Sequence, residues 1–338
     1  AGKSLNPKFT PKLKTEQAVE DLARKIIAGD RQALAQAITL IESVLVDDRL
    51  KQETLMAKLL PHAGRSTRIG ITGIPGAGKS TLIEAIGMEA VSHGRKVAVL
   101  AVDPSSQISG GSILGDKTRM EKLSRHASAF IRPSPSSGNI GGVAQTTRES
   151  IVLCEAAGYD TIFIETVGVG QSETAVHSMV DIFVLVTIPG TGDELQGIKR
   201  GIMEMADLIL INKASQQADK AKLTNAQIGN ILHLFPPHPS GMPVQVLICD
   251  AFEKDQVADT FKLITAYEAS IQASGYKQRR RMAQQVYWFR ETLQEALQIR
   301  FLQQDSMINK IKQAESEIMA GKADPYHAAM QIIDQLFK

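Results

Sequence analysis

The sequence predicts an α/β fold: a mostly parallel sheet flanked by helices, with purely helical segments before and after it. Three observations carry that expectation. Short apolar runs alternate with helical stretches from Thr67 onward, which is the pattern of βαβ units. The runs are nearly continuous in Val, Ile and Leu, as expected of strands covered on both faces. Before residue 65 and beyond about Thr265 the strand-like runs stop and helical spacing takes over. The expected divisions are residues 1–64, 65–272 and 273–338.

The elements follow in order. Asp30 is placed to N-cap RQALAQAITLIESVL, whose apolar positions recur at three and four residues. Pro61 and Gly64 end that pattern. The strand runs are RIGITG (68–73), KVAVLAVD (96–103), TIFIETVG (161–168), IFVLVTIP (182–189), DLILINK (207–213) and VQVLICD (244–250). After them, YKQRRRMAQQVYWFRETLQEALQIRFLQQ reads as one long helix. Two shorter helices follow at 304–320 and 325–337, separated by Gly321 and Pro325. Mid-helix aromatics such as Tyr287, Trp288 and Phe289 read as core or dimer seam. Lys277, Arg279, Arg280 and Arg281 read as a solvated helix start.

Composition narrows the function. The 338 residues are 43% hydrophobic but only 5% aromatic, so the core is built from aliphatic residues and Met. Lys and Arg total 38 against 36 Asp and Glu, a formal charge of +2. That balance excludes a dedicated nucleic-acid binder, whose domain is strongly basic. Cys154 and Cys249 lie in apolar runs without a CxxC partner and read as buried small hydrophobes. His233 and His238 flank the Pro-rich FPPHPSG, which reads as an exposed loop without metal-ligand spacing. The basic start AGKSLNPKFTPKLK has no apolar core, and no apolar stretch reaches membrane-spanning length. The expectation is a cytoplasmic protein with neither membrane nor nucleic acid as partner.

The chemistry sits in Gly73-Ile74-Pro75-Gly76-Ala77-Gly78-Lys79-Ser80, which fits GxxxxGK[ST] at every fixed position. It follows a strand run and opens the helical stretch STLIEAIGMEAV, the context of a phosphate-binding P-loop. Glycines let backbone N–H groups turn inward around phosphate oxygens, and the helix N-terminus adds its positive end. Lys79 then supplies a cation to the β and γ phosphates, and Ser80 a hydroxyl to Mg²⁺. A nucleoside triphosphate with Mg²⁺ is the expected ligand.

Further polar residues stand at the carboxyl ends of the other runs, where open α/β sheets hold ligands. Asp103 ends KVAVLAVD; Glu165 nearly ends TIFIETVG, with Gly168 and Gln171 beyond it; Asn212 and Lys213 end DLILINK. Mg²⁺ takes oxygen ligands and keeps several waters, so one or two carboxylates with Ser80 suffice. Asn-Lys after an apolar strand opens the NKxD motif, whose Asp accepts from guanine N1–H and the 2-amino group. Here the fourth position is Ser215.

These residues together resemble the MeaB/ArgK-type (MMAA-like) G proteins of the SIMIBI class. The resemblance rests on GIPGAGKST (73–81), VLAVDPSS (99–106), GGSILGDKTRM (110–120), AFIRPSPSSG (129–138), LCEAAGYD (153–160), ETVGVGQSET (165–174) and GDELQGIKRGIMEMADL (192–208). It implies a Mg²⁺-dependent GTPase that binds GTP and GDP. Such a protein gates cofactor delivery to an adenosylcobalamin-dependent acyl-CoA mutase of the methylmalonyl-CoA mutase type, protects that mutase, and forms a homodimer through C-terminal helices. The alternative is a P-loop kinase of the arginine/ornithine (LAO/AO) transport type. Carried over, the P-loop runs from Gly73 to Thr81. Asp103 and Asp116 are switch acids near Mg²⁺, and Glu165 is the carboxylate on the metal. Gly168 and the catalytic Gln171 belong to a second switch, and Gly192–Gly201, with Lys199, to a loop that answers the mutase. Asn212, Lys213 and Ser215 face the base. The family usually has Asp at the Ser215 position and a serine-containing loop where Cys249-Asp250-Ala251 stands. This predicts a narrower guanine preference, and a tighter hold on GDP after Ser215→Asp.

Overall fold

The computed structural model describes residues 11–43, 45–102, 120–132, 142–166, 172–190, 200–302 and 305–334. Its strands are β1 (Thr67–Gly73), β2 (Val97–Val102), β3 (Ala129–Arg132), β4 (Thr161–Thr166), β5 (Ile182–Thr187), β6 (Leu208–Ile211) and β7 (Gln245–Ile248). They form one seven-stranded sheet in the order β3-β2-β4-β1-β5-β6-β7. Every pairing is parallel. The α/β class and parallel sheet are therefore as the sequence predicts. Six strands fall on the Val/Ile/Leu runs. β3 is additional: Ala-Phe-Ile-Arg is too short to show a run, and its pairing with β2 makes it a strand.

Three helices precede the sheet: α1 (Pro11–Ile27), α2 (Arg31–Ile41) and α3 (Val46–Leu59). Asp30 caps α2, accepting from the N–H groups of Gln32 at 2.8 Å and Ala33 at 3.1 Å. That satisfies two of the donors a helix start leaves open. The face made by Ala33, Leu34, Ala37, Ile38 and Ile41 is buried.

Between the strands run α4 (Lys79–Ser92), α5 (Glu121–Arg125), α6 (Gly142–Ala156), α7 (Ser172–His177), α8 (Arg200–Met205) and α9 (Ala218–Leu232), and α10 (Lys254–Ala273) follows β7. β4 and β5 are buried at every position, because helices cover both faces. Phe163 and Phe183 are the largest fully buried side chains. The last helices are α11 (Tyr276–Leu302), α12 (Asp305–Met319) and α13 (Pro325–Asp334), close to the sequence reading.

The chain divides into two compact units, Ala1–Arg281 and Met282–Lys338. In the first, the opening turn of α11 is tied to the amino ends of the strands. Arg280 Nη1 donates to Asp207 Oδ2 at 2.8 Å, and Arg281 Nε to Asp181 Oδ1 at 2.7 Å. Both acids are fully buried. They also accept backbone N–H groups: Asp207 from Phe183 at 2.7 Å, Asp181 from Arg68 at 2.9 Å. The expected solvated helix start is thus corrected. Arg280 is 8% exposed and pairs with an acid far away in sequence. His238 is corrected too: its side chain is 7% exposed and lies 3.6 Å from Asp207.

In the second unit, α11 carries an exposed apolar stripe. Met282, Val286, Phe289, Leu293 and Leu297 recur at intervals of four and three residues and are between 49% and 68% exposed. Among the described residues no helix is long and apolar enough to cross a membrane.

Candidate functional site

Parallel strands put all their carboxyl ends on one edge of the sheet, and the strand order decides what meets there. β1 lies between β4 and β5. The loop after β1 therefore stands beside the end of β4, which carries Glu165, and the end of β5. β6, which leads into Asn212, is one strand further on.

The loop from Gly73 to Gly78 needs its glycines for stated reasons. Gly73 has φ +148°, and a Cβ there would meet the Val186 carbonyl oxygen at 2.0 Å. Only glycine lets β1 close against β5 at this point. Gly78 has φ +83° and precedes α4; a Cβ on it would meet the Asn212 amide nitrogen at 2.8 Å. The first turn of α4 holds Lys79, Ser80 and Thr81, so its open N–H groups point into the loop.

Lys79 is 7% exposed. Its ammonium donates to the carbonyls of Gly73 at 2.9 Å and Ile74 at 3.3 Å, which holds the charge inside the loop. Ser80 Oγ donates to Glu165 Oε1 at 2.7 Å. This contact joins the P-loop helix to the end of β4 and puts a hydroxyl and a carboxylate oxygen side by side. Glu165 is 6% exposed and pairs in register with Ile71 of β1. Two hard oxygen donors beside a phosphate-binding loop suit Mg²⁺, which draws its remaining ligands from water and phosphate. Among the described residues no three His, Cys, Asp or Glu side chains cluster as a metal cage, so the fit rests on these two.

Asn212 is 1% exposed and bridges two loops. Its Nδ2 donates to the Ala77 carbonyl at 2.8 Å, and its Oδ1 accepts from Ala251 N–H at 3.1 Å. Lys213 follows with φ +63°, the one positive value outside glycine among the described residues. Lysine reaches the left-handed region at a cost, and here that turns its side chain toward Gly78, with Cε 3.4 Å from a Cβ built there. Ser215 is exposed, and its N–H donates to Asp250 Oδ2 at 3.3 Å.

The structure thus brings Gly73, Gly76, Ala77, Gly78, Lys79, Ser80, Thr81, Glu165, Asn212 and Lys213 to one edge. Asp103, Asp116, Gly168, Gln171 and residues 192–199, Lys199 among them, lie outside the described residues. The resemblance already set Cys249-Asp250-Ala251 against the base; the two contacts that join this loop to the β6 turn, the Ala251 N–H on Asn212 and the Asp250 carboxylate on the Ser215 N–H, were not read from the sequence. The signal was present in the Asn-Lys-Ala-Ser and Cys-Asp-Ala segments, but only the pairing of β6 with β7 brings them together. Cys249 and Cys154 are buried, as the sequence implies, and burial pushes both thiols up, Cys249 to about 12.

Residues 34–306 match the family described as methylmalonyl Co-A mutase-associated GTPase MeaB. The chain is similar to GTPase ArgK of Escherichia coli K12, at 46% identity over 296 residues, covering 86% of this chain and 88% of that one. It is similar to the mitochondrial methylmalonic aciduria type A homolog of Mus musculus, at 41% identity over 327 residues, covering 94% and 79%. Among solved structures, a LAO/AO transport system kinase superposes with a TM-score of 0.75 at 35% identity, covering 96% and 99%.

Proposed function

This chain belongs to the methylmalonyl Co-A mutase-associated GTPase family MeaB and is a P-loop GTPase, and we propose that it serves an adenosylcobalamin-dependent acyl-CoA mutase. In this reading it gates cofactor delivery to the mutase and protects it from inactivation, and its hydrolysis of GTP depends on Mg²⁺. The observation that carries the metal-dependent chemistry is the 2.7 Å contact from Ser80 to Glu165 at the mouth of the P-loop. Mg²⁺ held there would supply positive charge to offset the charge that develops on the phosphates. The chain's own groups do the rest. Loop N–H groups and Lys79 would hold the phosphates, while Ser80 and Glu165 would hold the metal, directly or through water. Asp103 and Asp116 add acidic character, and Gln171 orients the attacking water. Asn212 and Lys213 fix the base. The exposed apolar stripe on α11 supports homodimerisation, since a contiguous apolar face is a docking surface.

The test is GTP turnover with and without a methylmalonyl-CoA mutase. Slow turnover alone and faster turnover with the mutase is the expected result; equal rates would defeat the chaperone reading. Likeness to a structure named as a LAO/AO transport system kinase favours a second reading, phosphoryl transfer to a small acceptor. Transfer of labelled γ-phosphate to ornithine or arginine rather than to water would establish it.

A further inference from the structure

Asn212-Lys213-Ala214-Ser215 ends in a hydroxyl where guanine reading needs a carboxylate. The turn after the next strand brings a carboxylate, Asp250, against the backbone of that residue. β6 and β7 are parallel neighbours, with Ile211 opposite Ile248. Their turns leave the sheet together and are joined by three hydrogen bonds. Ala214 N–H donates to the Cys249 carbonyl at 3.2 Å, Ala251 N–H to Asn212 Oδ1 at 3.1 Å, and Ser215 N–H to Asp250 Oδ2 at 3.3 Å. Asp250 is 6% exposed. Its Oδ1 accepts from Phe252 N–H at 3.1 Å. The carboxylate is therefore fixed in orientation by one backbone N–H on each oxygen. A carboxylate has about four acceptor positions, so each oxygen keeps one beyond these two bonds.

We propose that Asp250 is the guanine-selecting carboxylate of this protein. The acid that normally sits at the fourth position of the β6 turn stands in the β7 turn, and a hydroxyl takes its former place. This rests on the reading that the site binds a guanine nucleotide. Guanine offers N1–H and a 2-amino group side by side, two donors for the two remaining acceptor positions. Adenine offers a bare N1 and a C2–H on that edge, so a fixed carboxylate repels it. Asp219, the other acid near the turn in sequence, is exposed in the first turn of α9.

The proposal reverses the expectation drawn from sequence for Ser215→Asp. If Asp250 only braced the turn, aspartate at position 215 would complete the motif and tighten GDP binding. With Asp250 already reading the base, a second carboxylate crowds the first. Like charges in one site oppose each other, and GDP binding weakens by about tenfold.

The experiment titrates fluorescent GDP, ADP and xanthosine diphosphate onto the full chain, wild type, Asp250→Asn and Ser215→Asp. A carboxamide presents one acceptor and one donor, which suits xanthine, with its carbonyl at C2, and not guanine. Wild type is expected to prefer GDP. Asp250→Asn is expected to lose roughly a hundredfold in GDP affinity and to bind xanthosine diphosphate more tightly than GDP. Should wild type bind GDP and ADP equally, the guanine reading itself fails. Should wild type prefer GDP while Asp250→Asn keeps that preference, Asp250 is a brace and the proposal is overturned with the GTPase reading intact. If Asp250→Asn does not fold, Ser215→Asp decides, because it alters an exposed side chain: tighter GDP overturns the proposal and weaker GDP upholds it.

Discussion

Asn212→Ala tests whether the asparagine proposed to read the base also holds the site together. The side chain is buried and makes two bonds, to the Ala77 carbonyl at 2.8 Å and from the Ala251 N–H at 3.1 Å. Alanine removes both and leaves a P-loop carbonyl and a turn N–H without partners. A buried group left unpaired costs about 1–3 kcal/mol, and two of them cost about 3 kcal/mol after partial hydration of the gap. For a unit of this size 1 kcal/mol moves Tm by roughly 2–4 °C, so the nucleotide-free protein should melt roughly 6–12 °C lower. Asn212→Asp is nearly isosteric and keeps the acceptor for Ala251. It also points a carboxylate oxygen at the Ala77 carbonyl oxygen, so it should destabilise at least as much as alanine. The assay is thermal unfolding by circular dichroism without nucleotide. If both variants melt within about 1 °C of wild type and lose only GDP affinity, Asn212 reads the base without bracing the loops.

Two further predictions concern the rest of the molecule. Burial, and then the charge of Arg280, push His177 down to about 4 from its ordinary 6.5, against the pull of Asp207. The unfolded chain therefore takes up that proton first, and stability should fall as pH drops from about 6.5 to about 4, by at most about 2–3 kcal/mol. Denaturant midpoints across that window check it: His177→Gln should flatten the slope, and a slope equal to wild type would refute the assignment. Glutamate at both Val286 and Leu293 puts charge into the exposed stripe of α11, and light scattering should then report a monomer where wild type gives a dimer. Wild type that is itself monomeric at micromolar concentration would sink the homodimer.

What was legible in the sequence was local. The strands at 67–73, 161–166 and 182–187 are short aliphatic runs because both their faces are covered, and that burial writes itself into composition. The P-loop was legible because its chemistry needs fixed residues at fixed spacing: Gly73 and Gly78 for backbone conformations closed to a side chain, Lys79 and Ser80 for charge and hydroxyl. What escaped depends on partners distant in the chain. β3 is four residues long and is defined by β2 rather than by its own pattern. Arg280 reads as a surface charge until Asp207 is seen opposite it. Asp250 comes from the sequence only as part of the loop that the resemblance sets against the base; its contact with Ser215 appears once β6 and β7 pair.

The same non-local pairing decides where a stand-alone nucleotide-binding unit can end. Compositional reading puts the last division after residue 272, where the sheet and its last covering helix are complete. A chain stopped there lacks Lys277, Arg280 and Arg281. The side chains of Asp181 and Asp207 are fully buried, and those residues supply their cations at 3.9 Å, 2.8 Å and 2.7 Å. Burial alone would raise the Asp181 carboxyl, but Arg281 and Lys277, with the Arg68 N–H, hold it below the usual carboxylate range. Removing one partner of a buried pair costs about 3–5 kcal/mol, and this cut removes cations from two acids at once. Total stability of a folded domain is only about 5–15 kcal/mol. The acids sit at the amino ends of β5 and β6, the two strands whose carboxyl ends lead to Val186, against Gly73, and to Asn212. Loosening those strands at one end disturbs the P-loop and the turn proposed to read the base at the other. We infer that the opening turn of α11 belongs with the nucleotide-binding unit, in keeping with the division of the chain into compact units after Arg281.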